Sequence, residues 1–224
     1  MEGIIMRRVA KVSLLALFFA ISFGLNGCGS SQPASNEVES PRGELPAGPK
    51  KADYDAERPT VVVATNVGDI TVELDPKAAP ITVDNFLAYV NRGHYDGTVF
   101  HQVVADYMAL AGGYDTDFKE RRAEFPIRNE AHNGLKNVRG TIAMARAEDA
   151  IDSATNQFFL NLADNANLDH RERTPEGYGY CVFGKVISGQ EVLDQISKAK
   201  VEDRPGFAQT PAERIVIKTI RQIR

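Results

Sequence analysis

The chain has 224 residues, with 26 Lys and Arg against 30 Asp and Glu, for a formal net charge of −4 at neutral pH. That length fits one ordinary domain with appendages, and the composition is that of a soluble globular protein. A slightly acidic balance without a long basic run argues against nucleic acid as a partner.

Residues 1–27 read as a targeting signal outside the fold. Arg7, Arg8 and Lys11 form a basic stretch, and Val12 to Leu25 an apolar one too short to span a bilayer comfortably. Leu25-Asn26-Gly27-Cys28 then resembles a bacterial lipobox, in which the cysteine is acylated and becomes the new N-terminus. Cys28 is therefore expected to carry lipid, although Asn26 is unusual at its position; an ordinary signal peptide with an incidental cysteine is the alternative. A start at Met6 would give a more typical signal length. Residues 28–58 form the lipid-attached Cys and a flexible linker rich in Ser, Pro, Gly, Glu and Lys. As a coil it would hold the domain on the order of 30 Å from the anchor. The expected location is extracytoplasmic, on the membrane by a lipid anchor alone, at the cell envelope or periplasmic face. With Cys28 acylated, Cys181 has no disulfide partner; within Tyr180-Cys181-Val182-Phe183 it reads as a buried, inert thiol.

Residues 59–224 carry the domain. Thr60 to Thr65 and Ile70 to Leu74 flank Asn66-Val67-Gly68-Asp69 as a hairpin. Pro80 opens a helical pattern with Val83, Phe86, Leu87 and Val90 on one side and Gly93 as the stop. Strands are predicted over Thr98 to Val104, Tyr107 to Ala111, Gly140 to Ala145, Gln157 to Leu162 and Gly179 to Val186. A short helix follows around Glu191 to Lys198, then a final strand over Arg214 to Ile223. Many short strands with two helices imply a mainly β, closed antiparallel barrel capped at its ends.

Two stretches carry the chemistry: Phe100 to Gly113, and Asn156-Gln157-Phe158-Phe159. With Ala131 to Asn137, Arg139 to Arg146 and Gly179 to Val186, they resemble the cyclophilins, the peptidyl-prolyl cis-trans isomerases, over about Val61 to Ile220. The likeness is greatest to the bacterial periplasmic branch. It implies an eight-stranded cyclophilin-like barrel with two capping helices, acting on Xaa-Pro bonds of secreted or envelope proteins. Rotation about such a bond meets a barrier near ~20 kcal/mol because amide resonance must be broken. An apolar slot for the proline ring and a donor aimed at the prolyl nitrogen lower it without proton transfer, cofactor or covalent step.

The resemblance assigns Met108, Phe159 and Leu168 to the slot, Tyr107 where phenylalanine is usual, and Tyr180 to the rim. Gln157 and the backbone of Ala145, Arg146 and Ala147 would hold the peptide, with His101 beside the site. Gln102 stands where the family has an arginine, Leu110 where a glutamine braces it, Ala111 for a glycine, and Asn167 for a Trp or Phe. Losing one pre-aimed charged donor commonly costs about 3 kcal/mol, or about a hundredfold in rate. The expectation is thus a weakened isomerase, or a non-catalytic proline-peptide-binding chaperone or adaptor in the same groove. A substitute guanidinium, Arg146 included, would need placement to well under ~1 Å. Asn167 also predicts weak binding of the family's cyclic-peptide inhibitor. The partners expected are proline-containing segments, and the chain is expected to be a monomer. His101 reads as a structural hydrogen-bonder. His94, His132 and His170 lack paired ligand spacing, so no metal is expected. The run Lys119 to Arg122 reads as an exposed turn, and the acidic Glu148, Asp149 and Asp152 as a solvated loop.

Overall fold

The computed structural model describes residues 58–224. The predicted signal, Cys28 and the linker up to residue 57 lie outside the described residues. Among the described residues no helix is long and apolar enough to cross a membrane.

Alternation of side chains builds the barrel. In β1 (Thr60–Thr65) Val61 and Val63 are fully buried, and in β2 (Asp69–Leu74) so are Ile70 and Val72. The turn between them is closed by Thr65, whose Oγ1 donates to the Gly68 carbonyl at 2.6 Å. Strands β3 (Thr98–Val104), β4 (Met108–Asp115), β5 (Thr141–Met144), β6 (Phe158–Asn161), β7 (Val182–Ser188) and β10 (Val216–Gln222) complete the sheet. It closes in the order β1-β10-β3-β4-β6-β5-β7-β2, all pairs antiparallel. Closure leaves this sheet no free edge.

Two helices feed the same core. Phe86 of α1 (Pro80–Asn91) stacks among Tyr95, Phe158 and Phe183, with ring centroids 5.2–5.6 Å apart. Val192, Leu193 and Ile196 are the buried apolar side of α2 (Gln190–Ser197). Val192 also lies over the β1–β2 turn, where a Cβ on Gly68 would sit 2.6 Å from its Cγ2.

Three features depart from the sequence reading. The strand predicted to end at Ala111 runs through Gly112 and Gly113 to Asp115. Gly112 takes φ +93°, and a Cβ there would lie 2.8 Å from the Asn156 carbonyl; the glycines therefore permit close packing rather than ending the strand. An unforeseen hairpin, β8 (Val201–Arg204) and β9 (Phe207–Pro211), turns at Pro205-Gly206. The run Lys119 to Arg122 is not simply an exposed turn, since the Arg121 N–H bonds the Gly113 carbonyl at 2.8 Å and its Nη2 the Asp96 carbonyl at 3.0 Å.

The first turn of α1 has no side-chain cap of its own. Its orphan donors are taken by the buried carboxylate of Glu130, which accepts from the Ile81 and Thr82 backbone N–H groups at 3.2 and 2.8 Å and from Thr82 Oγ1 at 2.7 Å. Glu130→Ala leaves these donors buried and unpaired, and is expected to cost about 2 kcal/mol. Urea unfolding should show a lower midpoint; an unchanged midpoint would remove Glu130 from this role.

Candidate active site

Strand alternation separates two apolar populations on β4 and β6. Ala109, Ala111, Phe158 and Leu160 belong to the barrel core. Met108, Leu110 and Phe159 are buried yet stand apart from that cluster, on the outward face. Register aligns them: Gln102 pairs with Leu110, Leu110 with Phe159, and Phe159 with Ala143. Adjacent strands lie about 4.8 Å apart, so this outward row carries Gln102 about 10 Å from Phe159. Leu168, in the 3-10 turn Ala166–Leu168, is 9% exposed and likewise separate from the core. Tyr180 packs edge-on to Phe159 at 5.7 Å.

A buried polar frame ties these walls together. Asn161 donates from Nδ2 to Asn137 Oδ1 (3.2 Å) and Thr141 Oγ1 (2.9 Å), and accepts from Asn165 at 2.7 Å. Asn137 reaches the carbonyls of Leu168 (3.1 Å) and Tyr180 (3.3 Å). Asn165 reaches the Tyr107 carbonyl at 2.8 Å. Three asparagines, all nearly inaccessible to water, thus fix Tyr107, Leu168 and Tyr180 relative to one another. The sequence reading did not single them out as functional.

Beside the row, the Gln157 side chain lies across Gly113, where a Cβ would come within 2.7 Å of its Cδ. His101 is 4% exposed; its ring packs on Tyr114 (4.8 Å) and Phe207 of β9 (6.1 Å), and its carbonyl accepts from Thr210. The β8–β9 hairpin therefore flanks the site. The His101 Nδ1 is buried without a hydrogen-bond partner among the described residues, while the Val99 backbone and the Gln157 side chain hydrogen-bond the imidazole, in line with the structural role expected of it. Burial pulls the imidazole down to about 4, against the opposing pull of the Val99 backbone and the Gln157 side chain. Burial raises the Tyr180 phenol, with the neighbouring Arg146 opposing.

Arg146 is a clamp. Its guanidinium donates to the carbonyls of Gly179 (2.9 Å), Ala147 (2.8 Å), Glu148 (3.1 Å) and Pro175 (2.5 Å), and lies 4.9 Å over the Tyr180 ring. So occupied, it is not a spare donor for the slot. At the adjoining backbone, Ala145 N–H bonds the Gln157 carbonyl and Ala147 N–H the Ser153 hydroxyl. Within the acidic loop, Asp152 is not merely solvated: it accepts from the Asn129 N–H at 2.8 Å. His132 and His170, distant in sequence, meet around Tyr178 with ring centroids 6.2 Å apart. Among the described residues no group of three or more His, Cys, Asp or Glu could hold a metal ion. Cys181 is buried and its thiol is pushed up to about 12, chiefly by burial.

The family model for cyclophilin type peptidyl-prolyl cis-trans isomerase matches residues 60–222. The chain belongs to the cyclophilins. It is 48% identical over 162 residues to a peptidyl-prolyl cis-trans isomerase of Streptomyces antibioticus, covering 72% of this chain and 97% of that protein. Isomerase B of Escherichia coli is 44% identical, with 71% and 97% covered. The crystal structure of a Cryptosporidium parvum cyclophilin superposes with a TM-score of 0.62 at 25% identity, covering 75% of this chain and 98% of that one. A second structure of that cyclophilin, in the presence of the dipeptide Ala-Pro, gives a TM-score of 0.61 at 26% identity, with 74% and 99% covered.

In this cyclophilin Gln102 is 9% exposed, and among the described residues nothing hydrogen-bonds its side-chain amide. Its cross-strand neighbour Leu110 is 3% exposed and offers no polar brace. Asn167, exposed at the rim, donates to the Tyr107 hydroxyl at 3.0 Å. Two of the departures thus satisfy each other, since a tyrosine at the slot needs a partner for its hydroxyl.

His101 gives the domain a pH signature. Its folded value lies below the usual 6.5, so as pH falls from 6.5 to about 4 the unfolded chain takes up a proton that the folded one refuses. Stability contributed by the neutral imidazole is complete above 6.5 and is lost across that window. Between pH 7 and pH 4.5 the denaturation midpoint of the natural protein should fall further than that of His101→Phe; parallel curves would contradict the assignment.

Proposed function

We propose that the chain is a membrane-tethered, extracytoplasmic peptidyl-prolyl isomerase that works with a neutral donor and hence at reduced rate. The observation carrying this is the outward row on β3, β4 and β6, where Gln102, with its amide unengaged, adjoins a buried apolar wall of Leu110 and Phe159. A proline ring seated on Met108, Phe159 and Leu168 would leave its nitrogen toward β3. As C–N resonance is lost, the nitrogen gains a lone pair, and the Gln102 NH2 donates to it without proton transfer. A neutral donor stabilises that lone pair less than a guanidinium does, by about 1.5–3 kcal/mol. Gln157 and the backbone of Ala145 and Arg146 hold the flanking peptide, since the N–H and carbonyl of Ala147 are bonded to Ser153 and Arg146. Arg146 gives all three guanidinium nitrogens to carbonyls, so it does not substitute.

The envelope location rests on the order of basic stretch, apolar stretch and Cys28 in the sequence. Its clients would be exported proteins with Xaa-Pro bonds, met by a single copy of the domain on its tether. The second reading, a proline-peptide-binding chaperone or adaptor, is favoured by one observation: Leu110 supplies no hydrogen bond to aim Gln102.

Exchange NMR on an Xaa-Pro peptide separates the two. The natural protein should accelerate isomerisation measurably, and Gln102→Arg should raise kcat/KM by about ten- to a hundredfold. No acceleration by the natural protein, with activity appearing in Gln102→Arg, would favour the binding module. No activity in either would overturn the isomerase reading. Labelling with palmitate in an exporting bacterial host should tag the natural chain and spare Cys28→Ala; equal labelling would contradict the anchor.

A further inference from the structure

Tyr107 is held at both ends by one short turn. Its carbonyl accepts from the Leu162 N–H at 2.9 Å and from Asn165 Nδ2 at 2.8 Å, and its N–H donates to the Val104 carbonyl at 3.1 Å. Its hydroxyl accepts from Asn167 Nδ2 at 3.0 Å. It directly precedes Met108, is half-buried, and follows Asp106 in the left-handed region at φ +53°. It also lies close enough to Tyr180 to contribute to the upward push on that phenol.

A phenolic hydroxyl has two lone pairs and one proton. Asn167 uses a lone pair, so the proton remains, and among the described residues nothing accepts it. The Asn165 and Leu162 bonds fix the Tyr107 backbone next to Met108, and the ring lies near Tyr180; both neighbours belong to the groove, so a peptide seated there can take that proton.

We propose that the Tyr107 hydroxyl is a hydrogen-bond donor to a backbone carbonyl flanking the prolyl bond of a bound peptide, and that Asn167 is its positioning residue. This rests on the reading of the outward groove as the proline site. A phenylalanine in place of Tyr107 would offer the peptide only an apolar face. With Gln102, the hydroxyl gives this groove two neutral donors where the family's pattern has one charged donor. Asn167 is exposed and its side chain bonds only Tyr107 among the described residues; its place in the chain is explained by that bond rather than by packing.

The test uses the domain in its full chain and an Ala-Pro peptide carrying 13C at the alanine and proline carbonyls. On the natural protein one carbonyl resonance should move downfield on binding. Tyr107→Phe should abolish that movement and weaken binding by about fivefold, the size of one ordinary hydrogen bond. Asn167→Asp should have a similar effect, because a carboxylate only accepts and would draw the hydroxyl proton away from the groove. Thermal midpoints within about 2 °C of the natural protein would separate this from general damage. A carbonyl shift and affinity unchanged in both variants would overturn the proposal while leaving the groove reading intact. A natural protein that does not bind the peptide would overturn both.

Discussion

The two-residue alternation of β4 and β6, which β3 joins only after the register shift between Phe100 and Gln102, is the constraint on which this molecule depends. A closed barrel needs one face of every strand for its core, and here Phe158, Leu160, Ala109 and Ala111 supply it. The same strands must then present their other face to something. Over most of a water-soluble barrel that face would be polar, yet here it carries Met108, Leu110 and Phe159. Of these, Phe159 packs against the Tyr180 ring outside the barrel core. Because the interior is already filled, the outward cluster is free to serve as a binding wall without loosening the core.

Precision in that wall comes from the asparagine frame. Asn137, Asn161 and Asn165 link a strand, a 3-10 turn and two loops through bonds of 2.7–3.3 Å. Buried amides are costly unless nearly all their groups are paired, so the frame favours one relative placement of its parts. Arg146 does the same beside Tyr180, gathering four carbonyls and that tyrosine's ring. Where the resemblance places a guanidinium, this chain has Gln102, and its Arg146 is bound within the fold. The departures at positions 102, 107, 110 and 167 form a consistent set: an apolar neighbour for a neutral donor, and an amide for an added hydroxyl.

The barrel and both helices were legible because their alternation and helical spacing are strong, and the ordered motifs added the family. Periodicity alone could not divide β4, since Met108-Ala109-Leu110-Ala111 is apolar on both faces; only the matched motif assigned Met108 to a slot. The β8–β9 hairpin escaped notice because its side chains are mostly half-exposed and polar, leaving Pro205-Gly206 as its one clear signal. The asparagine frame was invisible for a different reason. An asparagine's role is decided by which carbonyls the fold brings to it, and those lie 24 to 58 residues away in the bonds to Leu168, Tyr180, Asn161 and Tyr107. Glu130 as the cap of α1, 48 residues downstream of Thr82, belongs to the same class.

The central claim is that the outward face of β3, β4 and β6 is a working proline-peptide site whose electrostatics, not whose walls, have changed. Amide chemical-shift mapping with an unlabelled Xaa-Pro peptide tests it most directly. The account predicts saturable shifts concentrated at Gln102, Tyr107 to Leu110, Phe159 and Leu168, with the barrel core silent. Shifts confined to another surface, or none at millimolar peptide, would contradict it.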